Sequence, residues 1–215
     1  MGENKADSAY YLGNGGTKIL ILGNSITLHG PKAEIGWNKC CGMAASDPEN
    51  DYVHLLYKKI AEAGCKANFL VSQAAVWERG FWKKETLSDF DYARDYRPDI
   101  IIFRLGENIL PENCGVYNLA AAISDFIGYL SNLSGCGKTK TLLTTCFWKH
   151  EKADKSIREY AACTACPVVE LGDLGSDDSM KALGLYEHGG VAGHPGDKGM
   201  EIISERIWKG LKNFI

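Results

Sequence analysis

The sequence predicts a three-layer α/β/α sandwich built on a five-stranded parallel sheet. Two observations carry that expectation. Short, continuous apolar runs alternate along the chain with stretches of helical periodicity. The runs lack the polar alternation of a half-exposed strand, so they suit strands buried on both faces, and strands that alternate with helices pair in parallel beneath a helical cover.

The first strand is expected at residues 18–23 (KILILG), which ends in Gly23, and the second at 67–72 (ANFLVS). The third, 99–105 (DIIIFRL), is the strongest, because Pro98 biases the residue before it toward extended geometry. Residues 141–146 (TLLTTC) and 167–171 (PVVEL) complete the five. Between them, Val53, Leu56, Tyr57 and Ile60 mark a helix entered near Asn50 and Asp51. Leu119, Ala122, Ile123, Phe126, Ile127, Leu130 and Leu133 form one wide apolar stripe. A shorter helix is expected over 156–163, and Met200, Ile203, Ile207 and Leu211 define the last one, with Asp197 placed to cap it. Residues 1–16 read as an N-terminal extension and 17–215 as a single domain.

Composition narrows the function classes. With 45% hydrophobic and 24% charged residues, the 215-residue chain is globular. Its 24 basic and 27 acidic residues leave a net charge of −3, which gives no footprint for nucleic acid. No apolar run is long enough to span a membrane, and no signal peptide is visible at the start. Eight scattered cysteines suit buried thiols in a reducing compartment, so the expected location is the cytoplasm; a secreted protein whose signal peptide has been trimmed would look the same. Cys163-x-x-Cys166 precedes a strand rather than following one, and no second pair completes a zinc site. Gly137-Lys138-Thr139 ends like a phosphate loop, but Asn132 stands where that motif needs its first glycine. No metal site is expected.

Ligands of such sheets gather at the carboxyl ends of the strands. There the sequence places Gly23-Asn24-Ser25, then the segment 73–79, then Gly106-Glu107-Asn108, and finally His194-Pro195 at the end of a long Gly-rich loop. Those residues suffice for acyl transfer: Ser25 as nucleophile, His194 as its base, and amide groups aimed at a developing oxyanion. Taken singly, Ser25 is an ordinary turn residue and His194 an ordinary cap. Three strand ends in register change that reading. Of the other histidines, His29 and His188 are reserve pocket residues, His54 is structural and His150 is solvated surface.

The same residues resemble the SGNH (GDSL-like) hydrolase family. Gly23-Asn24-Ser25 matches its first block, Gly106-Glu107-Asn108 its third, and His194-Pro195 its fifth, in order over about residues 17 to 213. The resemblance implies a flavodoxin-like sandwich and an esterase, thioesterase or carbohydrate deacetylase that needs no cofactor. Ser25, Asn108 and a backbone N–H of the Ala75–Trp77 turn, placed at Trp77 give or take two residues, would form the oxyanion hole. Asn24, Glu78, Arg79 and Glu107 would contact the substrate, and the Trp77, Phe81 and Trp82 faces suit stacking on a sugar. The preferred substrate is therefore a small-molecule or carbohydrate ester. Two departures stand out. Val191 replaces the acid normally three residues before the histidine, which leaves a Ser–His dyad on a backbone carbonyl or a substitute acid, with Asp178 and Glu187 as candidates. No glycine follows the second strand. These departures motivate a rival, a decayed carbohydrate-binding module; a lipid or acyl-thioester hydrolase is the other alternative.

Overall fold

The computed structural model describes residues 8–131 and 138–215. Leu133, Cys136 and the Asn132 and Gly137 positions of the rejected phosphate motif lie outside the described residues. Six strands form one sheet: β1 (Ala9–Leu12), β2 (Thr17–Gly23), β3 (Ala67–Gln73), β4 (Ile100–Arg104), β5 (Lys140–Thr144) and β6 (Val168–Val169). Eight α-helices flank them among the described residues: α1 (Tyr52–Glu62), α2 (Ala75–Gly80), α3 (Asp91–Asp95), α4 (Pro111–Val116), α5 (Leu119–Leu130), α6 (Glu151–Thr164), α7 (Gly189–Ala192) and α8 (Asp197–Leu211).

The spatial order is β1-β3-β2-β4-β5-β6. The five expected strands are all present and parallel, in the doubly wound order whose crevice opens between β2 and β4. The sixth is a correction. Residues 9–12, read as extension, pair antiparallel with β3 from Ala9 opposite Ser72 to Leu12 opposite Phe69. Four residues next to a Gly-rich turn are too short for a periodicity to show.

The apolar runs read as doubly buried because their side chains alternate between two cores. Leu20, Leu22, Ile101 and Phe103 face the layer of α2, α3, α5 and α6. Ile19, Ile21, Ile100 and Ile102 face α1 and α8. A third, smaller cluster joins Trp37, Cys41 and Met43 of the 31–50 insert to Ala182 and Val191 of the Gly-rich loop.

Helix entries follow the local chemistry, with two exceptions. Asp51 caps α1 by accepting the His54 N–H at 2.8 Å, and Asn118 caps α5 by accepting the Ala121 N–H at 3.0 Å. Asp197 does not cap α8: Gly196 holds that position, and the Asp197 carboxylate accepts from the Ser46 N–H at 2.8 Å and from the Ser46 hydroxyl, tying the insert to the helix. His150 is not solvated surface. It caps α6, with Nδ1 accepting from the Ala153 N–H at 3.1 Å and Nε2 bonded to the Ile109 carbonyl at 2.8 Å.

Candidate active site

Ser25 stands on the turn that leaves β2. Asn24 O accepts from the N–H groups of Thr27 and Leu28 at 2.9 and 3.0 Å, so the chain reverses as it leaves the sheet. Gly23 is required there, because a Cβ would lie 1.7 Å from Thr27 Oγ1. Gly106, after β4, has φ +147°, and a Cβ on it would meet Cys146 Sγ at 2.5 Å. The two glycines let the Ser25 and Asn108 turns approach across the β2–β4 crevice.

His194 reaches the same crevice from α7. Its Nε2 lies 2.8 Å from Ser25 Oγ, and its Nδ1 lies 2.6 Å from the Gly190 carbonyl. A carbonyl only accepts, so Nδ1 carries the proton and Nε2 presents its lone pair to the serine hydroxyl. Gly190 O is available because the α7 turn closes early: the His194 N–H donates to Val191 O at 2.9 Å instead. Burial holds the His194 pKa down at about 4, with the positive Arg104 and the nearby His29 adding to the shift and the Gly190 carbonyl opposing it. The imidazole is therefore neutral over the physiological range. Trp148 packs against it at 85°, with 5.1 Å between ring centroids.

Neither candidate acid orients this histidine. Asp178 pairs with Lys181 at 2.8 Å, Glu187 is exposed, and His194 Nδ1 is engaged by the Gly190 carbonyl instead. The Val191 side chain, at the position where an acid was expected, is fully buried in the third cluster. Of the two alternatives the sequence left open, the geometry matches the Ser–His dyad on a backbone carbonyl, that of Gly190.

Beneath the crevice lies a buried polar network that sequence reasoning misassigned. Asn24, Glu78 and Glu107 were expected to touch substrate, yet Asn24 and Glu78 are fully buried and the Glu107 side chain is 5% exposed. Asn24 Nδ2 donates to Glu107 at 2.6 Å and Glu78 at 3.1 Å, while its Oδ1 accepts from Arg104 at 2.9 Å and the Ile26 N–H at 3.3 Å. Arg104 forms an ion pair with Glu107, which also accepts the Phe147 N–H at 2.9 Å. Glu78 accepts the Gly106 N–H at 2.6 Å and Asn108 Nδ2 at 2.6 Å. Burial, and then the Glu107 charge, push the Glu78 pKa up, while its hydrogen-bond donors Asn108, Gly106 and Asn24 oppose the shift. A signal did exist: Arg104 ends a strand buried on both faces, and a buried arginine must meet carboxylates.

Trp77 is a second correction. Its ring is fully buried, stacked on Phe126 at 4.9 Å and edge-on to Phe103 at 5.6 Å, and the backbone N–H of Trp77 donates to Ala74 O at 3.0 Å. It is no oxyanion donor. Phe81 is buried beside it, and the partly exposed Trp82 stacks on the exposed Tyr117 at 4.7 Å; none of Trp77, Phe81 and Trp82 lines the cleft of Ser25. Ala75 lines the cleft in place of Trp77; its N–H donates to the Gln73 amide oxygen at 2.9 Å.

The cleft above Ser25 encloses about 710 Å³. Ser25, Asn108 and His194 share it with Gln73, Ala75, Arg79, His29, Lys32, Met43 and His188. Of the expected substrate contacts, only Arg79 faces it. Among the described residues, no group of three or more His, Cys, Asp or Glu is placed to hold a metal ion.

A doubly wound sheet with a Ser–His pair and an asparagine at its switch point defines the class: the chain has the fold of the SGNH hydrolases. Comparison with sequence families and with curated proteins finds no match. Solved structures do match. The protein TesA superposes with a TM-score of 0.59 at 17% identity, over 93% of this chain and 100% of that one. A lipase/acylhydrolase from Enterococcus faecalis gives 0.55 at 17% identity over 92% and 96%. The acetyl xylan esterase AlAXEase gives 0.56 at 15% identity over 89% and 98%.

Proposed function

We propose that this protein is a serine ester hydrolase of the SGNH type that removes acetyl or another short acyl group from a small-molecule or carbohydrate ester. The observation that carries the reading is the hydrogen-bonded relay from Ser25 Oγ through the His194 ring to the Gly190 carbonyl, at 2.8 and 2.6 Å. Ser25 Oγ attacks the ester carbonyl carbon as its proton passes to His194 Nε2. The oxyanion takes hydrogen bonds from Asn108 Nδ2, the Ser25 N–H and the Ala75 N–H, where it replaces the Gln73 amide oxygen. The tetrahedral adduct collapses, the C–O bond to the alcohol breaks, and His194 returns its proton to the leaving oxygen. Water then attacks the acyl-serine as its proton passes to His194, the bond from the acyl carbon to Ser25 Oγ breaks, His194 returns the proton to Ser25 Oγ, and the acid is released.

The choice of a short acyl group on a carbohydrate rests on the likeness to an acetyl xylan esterase and on the polar cleft, since the buried aromatics lend it no support. The relay favours an enzyme over a decayed binding module, because the carbonyl supplies the tautomer that the missing acid would have supplied. The deciding assay is hydrolysis of a short-chain aryl acetate by the wild type and by Ser25→Ala, with folding followed by circular dichroism. Turnover lost in the folded variant is expected. Equal rates in both would overturn the reading.

A further inference from the structure

We propose that the cleft selects an anionic ester, one whose acyl or alcohol part carries a carboxylate or phosphate held by Arg79 and Lys32; this rests on the esterase reading above. The chain as a whole is acidic, with 27 carboxylates against 24 basic residues. The cleft reverses that balance: Arg79, Lys32, His29 and His188 line it, and among the described residues no Asp or Glu does. Neither permanent cation has an ion-pair partner among the described residues. The acid next to Arg79 in sequence, Glu78, points inward and is engaged by Gly106, Asn24 and Asn108.

Both cations stand on anchored backbone. Arg79 lies on α2, pinned by the buried Trp77 ring. Lys32 lies on a turn closed by hydrogen bonds to Trp37 at 2.7 and 3.2 Å, and the buried Trp37 ring donates to His29 O at 3.0 Å. Two exposed cations that line the cleft of the nucleophile, with no ion-pair partner among the described residues, match a ligand that brings its own charge. The Arg79 guanidinium suits the planar or tetrahedral oxygens of such a group, and an uncharged acyl sugar leaves both cations unpaired.

The test compares kcat/KM on three acetyl esters: an acetylated methyl hexuronoside, its neutral methyl ester and an acetylated hexose phosphate. The wild type is expected to prefer one or both anions over the neutral ester by about ten-fold or more, a preference that weakens with added salt. The ratio should fall toward one in Arg79→Gln and Lys32→Gln. It should persist in Lys155→Gln, which removes one exposed charge on α6 that does not line the cleft. Whichever of the two anions is preferred identifies the charged group. A wild-type ratio of one or less, with turnover intact, overturns this proposal and leaves the esterase reading standing. If no ester is cleaved, an aryl acetate included, the esterase reading fails. Calorimetric titration with the deacylated hexuronoside and hexose phosphate then decides: binding lost in Arg79→Gln upholds the anion site, and no binding overturns it.

Discussion

The carboxylate of Glu78 accepts the side-chain amide of Asn108 at 2.6 Å from beneath the cleft. A carboxylate presents only acceptors, so this bond makes the nitrogen of Asn108 face inward and turns its second N–H toward the place where the oxyanion forms. Glu78→Gln removes that instruction. Its amide group would set a donor against either Asn108 or the Gly106 N–H. We expect kcat to fall about 10²-fold, as for loss of one oxyanion donor, with little change in KM and a loss of about 1–3 kcal/mol in stability. Steady-state kinetics beside a urea melt read both effects; unchanged kcat would detach Glu78 from the site.

Asn108→Ala deletes the donor itself. Turnover should drop about 10²–10³-fold, and stability should fall by about 1–3 kcal/mol as well, because the buried Glu78 Oε2 loses the amide that donates to it. Near-normal turnover would remove Asn108 from the mechanism.

The pH profile reports the burial of His194. A base whose pKa is held at about 4 is unprotonated above that value and gains its proton below it. The acid limb of kcat/KM should therefore reach half-height near pH 4, with a plateau through neutrality. A limb near the ordinary histidine value would mean that the ring is hydrated in solution.

Val191→Asp tests whether the acid missing from the sequence can simply be put back. The Val191 side chain packs against Trp37, Cys41 and Met43, so the new carboxylate enters an apolar cluster with no partner there. We expect a loss of about 3–5 kcal/mol by denaturant unfolding and no gain in turnover. A faster, equally stable variant would show that the loop accommodates the usual triad.

The strands were readable because each one, such as Ile19 to Leu22, is apolar toward both layers, and Ser25, Asn108 and His194 were readable because strand ends are where such sheets act. Trp77 was misread as a rim residue although Ala74, Trp77 and Phe81 recur at helical spacing, the mark of α2 turning inward. Glu78 was out of reach: its partners Asn24 and Asn108 lie 54 and 30 residues away, and only the folded β2–β4 crevice brings them together. Gly190 has no side chain by which to be noticed. Its role is a carbonyl set free by the early closure of α7.

The short β1 strand gives the molecule a guarded border. β3 would otherwise present seven residues of unpaired backbone along the sheet margin, the kind of open template on which another chain can be added. Ala9–Leu12 occupies that margin, the Gln73 N–H donates to Ser8 O at 2.8 Å, and the opposite margin, β6, is two residues long. Trimming the chain to residue 17 would unzip one flank of the sheet beside the catalytic turn and leave a sticky ribbon, so the first strand acts as a selvedge along that edge of the sheet.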